Sequence, residues 1–395
     1  FSFYFPLSNN KGELFLFSLF AILRLLSKLC FSNKERRDFM IQISKASVVR
    51  LRMERQGFLK LLTQEELLRL FSLSSPVKTP YWCAPGQPPR LDFRSSFDSE
   101  SFFYTMRGER RLLKGRFQKG GIHYVLREDL SLYGCAYRKD PNALGEKELL
   151  LLDLLTQEGP MTIHLMKEYT GLLAKEITPA LHKLQERFLV FEDQADNEWD
   201  RAWYLFKAEF PEVDFYRYTK ISAVKEILLR FSYLHGVFTE EMARSYYQFS
   251  MKDLKTALSQ LLEEKRLVSF QTDWEASVCY IAPEDLDAIS YGVQLPALVL
   301  PLDRNDFLSR SYEYRFGKRW SIPGKEVVRY LLIDGEIHGA VLGHFSFSPV
   351  ELYDILLDLP KEEAQRRKGE ILSSIEKVYD PKESPVLHYH SAPVR

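Results

Sequence analysis

Lys78 stands between two prolines in Ser75-Pro76-Val77-Lys78-Thr79-Pro80, an amine on a loop and so a candidate nucleophile, with a solvated side chain as the plainer reading. His123 follows Gly120-Gly121 in an apolar run, where a lone imidazole reads first as a satisfied core or surface group. Positive charge is concentrated in two places. Residues 107–119 carry Arg107, Arg110, Arg111, Lys114, Arg116 and Lys119 against one acid, Glu109. Residues 304–329 carry Arg304, Arg310, Arg315, Lys318, Arg319, Lys325 and Arg329 against Asp306, Glu313 and Glu326. Phe307, Tyr312, Tyr314, Phe316 and Trp320 are interleaved with this second set. Cations suit a phosphate backbone and aromatic faces suit an exposed base, whereas alternating aromatics also describe a half-buried strand.

The chain as a whole is neutral, with 54 Lys plus Arg and 54 Asp plus Glu, so any nucleic-acid contact must come from local patches such as these. Cys30, Cys83, Cys135 and Cys279 are far apart, and His388 and His390 stand without further ligands. That spacing argues for no metal and no cofactor, and nothing requires an oxidising compartment.

Residues 151–206 must position the first basic segment against the rest. Leu151, Leu152, Leu154 and Leu155 give an apolar helix face ended by Gly159-Pro160; a second helix follows, and a third is predicted to open at Thr178-Pro179. Residues 189–191 and 203–206 then read as a hairpin, the order of a winged helix. The unit recurs. Shifted by 77 positions, Leu151, Leu152, Gly159, Lys175, Ala180, Leu181, Leu184 and Glu186 fall on Leu228, Leu229, Gly236, Lys252, Ala257, Leu258, Leu261 and Glu263. The wing of the first copy carries Glu192, Asp193, Asp196, Glu198 and Asp200, acids that repel phosphate, so this tandem reads as a frame or a protein-binding surface.

Upstream, helices are predicted over residues 44–57, 65–71 (capped by Thr63 and Glu66) and 97–107, followed by a hairpin turning at Gly120-Gly121. That order makes a third winged helix plausible. Downstream, strands are predicted at residues 298–302, 327–333 and 340–345 and a helix at 349–357. The expected class is α+β, mainly helical: tandem winged helices plus a C-terminal α/β part. Its segments are an extension at 1–39, an N-terminal winged-helix-like domain at 40–143, winged helices at 144–209 and 210–290, and a C-terminal domain and tail at 291–395. Residues 1–39 read as an accessory stretch ahead of a natural start near Met40, with an amphipathic helix as the alternative; no membrane span is expected.

Three stretches, in order around the tandem, resemble the winged-helix DNA glycosylases that repair interstrand crosslinks and bulky alkylated bases. Residues 44–59 are similar to that family's opening helix with its Gln-Gly end, here Gln56-Gly57. Lys119-Gly120-Gly121-Ile122-His123-Tyr124-Val125, with Asp129 beyond, resembles the family's Arg-Gly-Thr-Leu-His-Leu-Val segment. Pro301-Leu302-Asp303, with Arg310 downstream, resembles its Pro-Phe-Asp segment. The resemblance implies DNA as partner and brings His123 beside it. It fails where the family carries Gln-x-Gln or Gln-x-Asp before a proline: residues 74–80 have neither, so no catalytic pair carries over, and Lys78 is the one candidate there, by attack on C1′. The leading expectation is a DNA-binding protein of the cytoplasm, associated with the nucleoid, that grips duplex or damaged DNA through the two basic segments. An active glycosylase using other residues and a winged-helix protein-interaction or regulatory module are the alternatives.

Overall fold

Thr63 starts its helix as its spacing to Glu66 predicts: Thr63 Oγ1 accepts from Glu66 N at 3.3 Å while Glu66 Oε2 accepts from Thr63 N at 2.9 Å. In the computed structural model, the described residues are 43–81, 83, 87–193, 201–286, 289, 293–316, 319–344 and 349–394. The expectations for residues 1–39, for Lys318 and for the wing acids Asp196, Glu198 and Asp200 lie outside them.

The described residues open with α1 (Lys45–Arg55), α2 (Gln64–Ser74) and α3 (Ser99–Gly108), then the hairpin β1 (Leu112–Arg116) and β2 (Ile122–Leu126), and α4 (Leu130–Tyr137). Two units of like order follow. The first runs α5 (Glu146–Glu158), β3 (Met161–Thr162), α6 (Ile163–Thr170), α7 (Ala174–Gln185), β4 (Val190–Asp193) and β5 (Ala202–Leu205), ending in the short α8 (Phe206–Glu209). The second runs α9 (Lys220–His235), β6 (Val237–Thr239), α10 (Glu240–Tyr247), α11 (Met251–Glu263), β7 (Val268–Phe270) and β8 (Cys279–Ile281), ending in α12 (Pro283–Leu286). Their sheets have matching orders, β3-β5-β4 and β6-β8-β7.

Several positions 77 apart take like places in the packing. Leu151 and Leu228, Leu181 and Leu258, and Leu184 and Leu261 are all buried. Gly159 and Gly236 end α5 and α9 with φ of 86° and 68°, a backbone region that a side chain strains, so both copies keep glycine where the helix must stop. The two copies differ in what they pack on. Leu151, Met166, Ile177, Leu181 and Trp203 form a core of their own, whereas α9 sinks into one core with α2, α3, the β1–β2 hairpin and α4, where Phe231, Phe71, Phe103 and Tyr133 are all buried.

The last part is a six-stranded sheet ordered β14-β13-β12-β11-β10-β9, built from β9 (Val299–Asp303), β10 (Glu326–Ile333), β11 (Glu336–His344), β12 (Glu351–Leu357), β13 (Val386–Tyr389) and β14 (Ala392–Pro393). Between β9 and β10 lies α13 (Phe307–Phe316); α14 (Lys361–Arg366) and α15 (Lys368–Glu376) follow β12. The sheet is covered on one side by Ile371 and Ile375 of α15 and on the other by α1, whose Val49 and Met53 pack with Leu302, Tyr330 and Leu332. Arg52 Nη2 donates to Gly335 O at 2.6 Å across that contact.

Three local expectations are corrected. Residues 349–357 were expected to be helical, yet β12 is an interior strand: its short apolar run fits either period, and pairing with β11 and β13 decides it. The aromatics from Phe307 to Phe316 lie on helix α13, not on a strand. Finally, α7 begins at Ala174, four residues before the expected Thr178, because Glu176 Oε2 accepts from Leu173 N at 3.0 Å and caps the turn; Pro179 is carried inside the helix on its exposed side.

Candidate nucleic-acid interface

Lys78 is mounted from both sides by backbone contacts. Val77 and Tyr124 of β2 exchange N–H···O bonds at 2.9 and 2.7 Å, which sets Lys78 beside His123. One residue on, Thr79 O accepts from Asn305 Nδ2 at 2.9 Å, and Tyr81 N donates to the Asp303 carboxylate at 3.0 and 3.2 Å. Two of the three stretches that resemble the family, residues 119–125 and 301–303, therefore meet at the loop that departs from it. Burial raises the Asp303 carboxyl to about 6, although Arg329 and the two backbone donors oppose the shift.

His123 and Arg310 meet in the interior next to this loop. His123 Nδ1 lies 2.9 Å from Gly121 O, which fixes the proton on Nδ1 and leaves Nε2 bare. Burial, then Arg310 and Lys78, hold the imidazole well below its ordinary value, so it is neutral. Arg310, on α13, donates through Nη2 to Gln118 Oε1 and, at 3.1 Å, to Tyr246 O, while its guanidinium lies 4.8 Å from the Tyr246 ring centre. Ser245 Oγ donates to Arg310 O at 2.6 Å and ties α10 to α13. Among the described residues, three buried polar atoms of this cluster have no partner: His123 Nε2, Arg310 Nη1 and Gln118 Nε2. Buried polar atoms are almost always satisfied, so a group of three marks a polar spot that water or a bound group would complete.

Beside the cluster opens a cleft of about 740 Å³, lined by Lys119, Arg244, Ser245, Gln248, Phe249 and Glu313 among others. Lys119 projects from the tip of the β1–β2 hairpin with φ of 55°, next to Gln118. Among the described residues, the side chains of Lys119, Arg244 and Lys78 have neither an ion pair nor a hydrogen bond.

The other basic candidates among the described residues have partners within the protein. Arg110 is 2.6 Å from Asp193 and also bonds Glu209. Lys114 is buried at 2.8 Å from Glu192. Arg107 is buried over the Tyr104 ring and bonds the Tyr124 hydroxyl. Arg116 donates to Gln185 Oε1 at 3.1 Å and Gly120 O at 2.9 Å, and Arg111 lies 3.4 Å from Glu109 at the surface. In the C-terminal segment, Arg304 pairs with Glu313 at 3.3 Å and stacks over Tyr81, Arg315 pairs with Glu275, and Arg319 lies 2.9 Å from Asp358. The acids of the first unit are thus the counter-charges of the first basic segment, a cancellation invisible in either stretch alone. Sequence reading singled out Lys78, Lys119, His123 and Arg310 but missed Gln118, Arg244 and Gln248. Gln118, one residue before Lys119, was the nearest available signal.

A comparison with solved structures places the fold: Streptomyces sahachiroi DNA glycosylase AlkZ superposes with a TM-score of 0.63 over 87% of this chain and 99% of that one, at 12% identity. The class is defined by the fold that the two chains share. The family model described as DNA glycosylase AlkZ-like matches residues 102–342, and the chain belongs to that family. No curated protein matches the sequence. Among the described residues no helix is long and apolar enough to cross a membrane.

Proposed function

We propose that the protein is a DNA-repair protein that binds duplex or damaged DNA in the cleft beneath the β1–β2 hairpin tip, with Lys119 and Arg244 neutralising phosphates. The observation that carries this reading is the company these two cations keep. Among the described residues they are unpaired, they line one cleft, and that cleft adjoins the buried Gln118–His123–Arg310 cluster with its three unsatisfied polar atoms. The two repeated units act as winged helices that do not read a groove: the second walls the cleft through α10, and the first holds the β1–β2 hairpin through Asp193–Arg110 and Glu192–Lys114. Phosphate contacts dominate affinity in such binding and make it salt-dependent, and a place at the nucleoid goes with it.

Titrating a fluorescent duplex at several salt concentrations tests this directly. Affinity should fall steeply with salt, and Lys119→Ala or Arg244→Ala should weaken binding equally for unrelated sequences. Salt-independent or absent binding overturns the reading. A protein partner on the first unit is the second reading, favoured by Leu149, Leu150, Leu165, Tyr169 and Leu173, which that unit leaves exposed.

A further inference from the structure

We infer that Lys78 is an amine nucleophile that forms a Schiff base with C1′ of an abasic deoxyribose, giving the protein lyase chemistry on abasic sites. The inference rests on the DNA reading above and adds a reaction to it.

Three features of the structure support it. The first is the mount: the Val77–Tyr124 backbone pair on one side and the Asn305–Thr79 bond on the other fix the backbone on both sides of Lys78 against two separate elements, so its side chain starts from a set position. The second is freedom: among the described residues no acid or carbonyl holds the ammonium, although Arg304, Arg310, Glu313 and His123 are near enough to act on it electrostatically. Glu313, the one acid of that group, is also on the wall of the cleft. The third is the electrostatic setting. Burial first, then Arg310 and Arg304, outweigh Glu313 and bring the Lys78 amine down to about 8. About one amine in ten is then neutral at pH 7, against about one in three thousand for an ordinary lysine. Only the neutral amine has the lone pair that attacks carbon.

The step balances without a cofactor. An abasic deoxyribose opens to an aldehyde; the Lys78 nitrogen bonds to C1′, the carbonyl oxygen leaves as water, and a protonated imine remains. The imine withdraws electrons from C2′, whose proton passes to solvent. The C3′–O bond then breaks, and the 3′ phosphate leaves with the bonding pair. Water hydrolyses the imine and returns the lysine.

The test uses the full chain and a duplex with a single abasic site, incubated with sodium borohydride, whose hydride reduces an imine to a stable amine. A covalent protein–DNA band should form, and peptide mapping should place the adduct on Lys78. Lys78→Met and Lys78→Arg should each lose at least tenfold of that band, and wild-type trapping should quicken as pH rises through about 8. A parallel gel shift with the same duplex and no reductant separates the two layers. Retained binding without a trapped band, or a band undiminished in Lys78→Arg, overturns the role of Lys78. Absent binding and absent trapping together overturn the DNA reading itself.

Discussion

Lys114 Nζ lies 2.8 Å from Glu192 Oε2, and each side chain is only 5% exposed. Arg201 holds the other carboxylate oxygen at 2.6 Å. Burial pushes the Glu192 carboxyl up, but Lys114 and Arg201 together outweigh it and leave the group below its usual range. The pair joins β1 of the N-terminal hairpin to β4 of the first repeated unit, so it is a structural tie between segments that composition alone assigned to opposite roles.

Removing one partner of such a tie leaves a buried charge exposed to a poor solvent. Lys114→Ala should lower unfolding free energy by roughly 3 kcal/mol, at the low end for a buried pair because Arg201 remains. Urea denaturation measures this. DNA affinity under conditions where the variant is fully folded should be unchanged.

Salt titration distinguishes paired from unpaired cations. Lys119→Ala and Arg244→Ala should each reduce the slope of log K against log salt by about 1, whereas Arg110→Ala, whose charge is already met by Asp193 and Glu209, should leave the slope unchanged. An equal loss in all three variants would return the basic segment to the role its composition suggests.

Arg94 and Asp306 form a second buried tie, at 2.7 Å, with Arg94 Nε also donating to Gln56 O at 2.8 Å. Asp306 Oδ1 additionally accepts from Leu308 N at 2.9 Å and starts α13, the helix that carries Arg310. Arg94→Ala should cost about 3–5 kcal/mol by thermal or urea unfolding. It should also weaken DNA binding at temperatures where the variant is still folded, because α13 loses its anchor.

The depressed Lys78 amine predicts a pH-dependent stability difference. Below about 8 the folded protein holds a desolvated charge that the unfolded chain solvates freely, so Lys78→Met should raise Tm at pH 7. As pH rises through 8 the folded lysine loses its proton before the unfolded one does, wild-type stability gains, and the advantage of the variant should shrink and vanish near the ordinary lysine range. Melting curves from pH 6.5 to 10 follow the difference; a constant gap would mean that Lys78 titrates normally.

Local chemistry made much of this fold legible. The Thr63–Glu66 cap, the glycines at 159 and 236, and the leucines repeated 77 positions apart are determined by neighbours within one helix turn or one repeat. What was not legible depends on distance in sequence. Arg110 meets Asp193 and Glu209, 83 and 99 positions away, so a net charge counted over residues 107–119 misstates what solvent sees. Residues 351–357 satisfy both a helical and a strand pattern until β11 and β13 are present. The candidate site was visible only as separate residues: nothing local brings position 78 to 123, or 118 to 310.

The docking of α1 on the C-terminal sheet sets the order in which the protein can be made. Val49, Met53 and the Arg52 guanidinium leave the ribosome well before Leu302, Tyr330 and Gly335 exist, a wait on the order of tens of seconds at ordinary translation rates. Through that interval the helix keeps an apolar face without its cover. A chain that stopped before β9 would keep that face bare permanently, so loss of the far end would be felt first as insolubility at the near one.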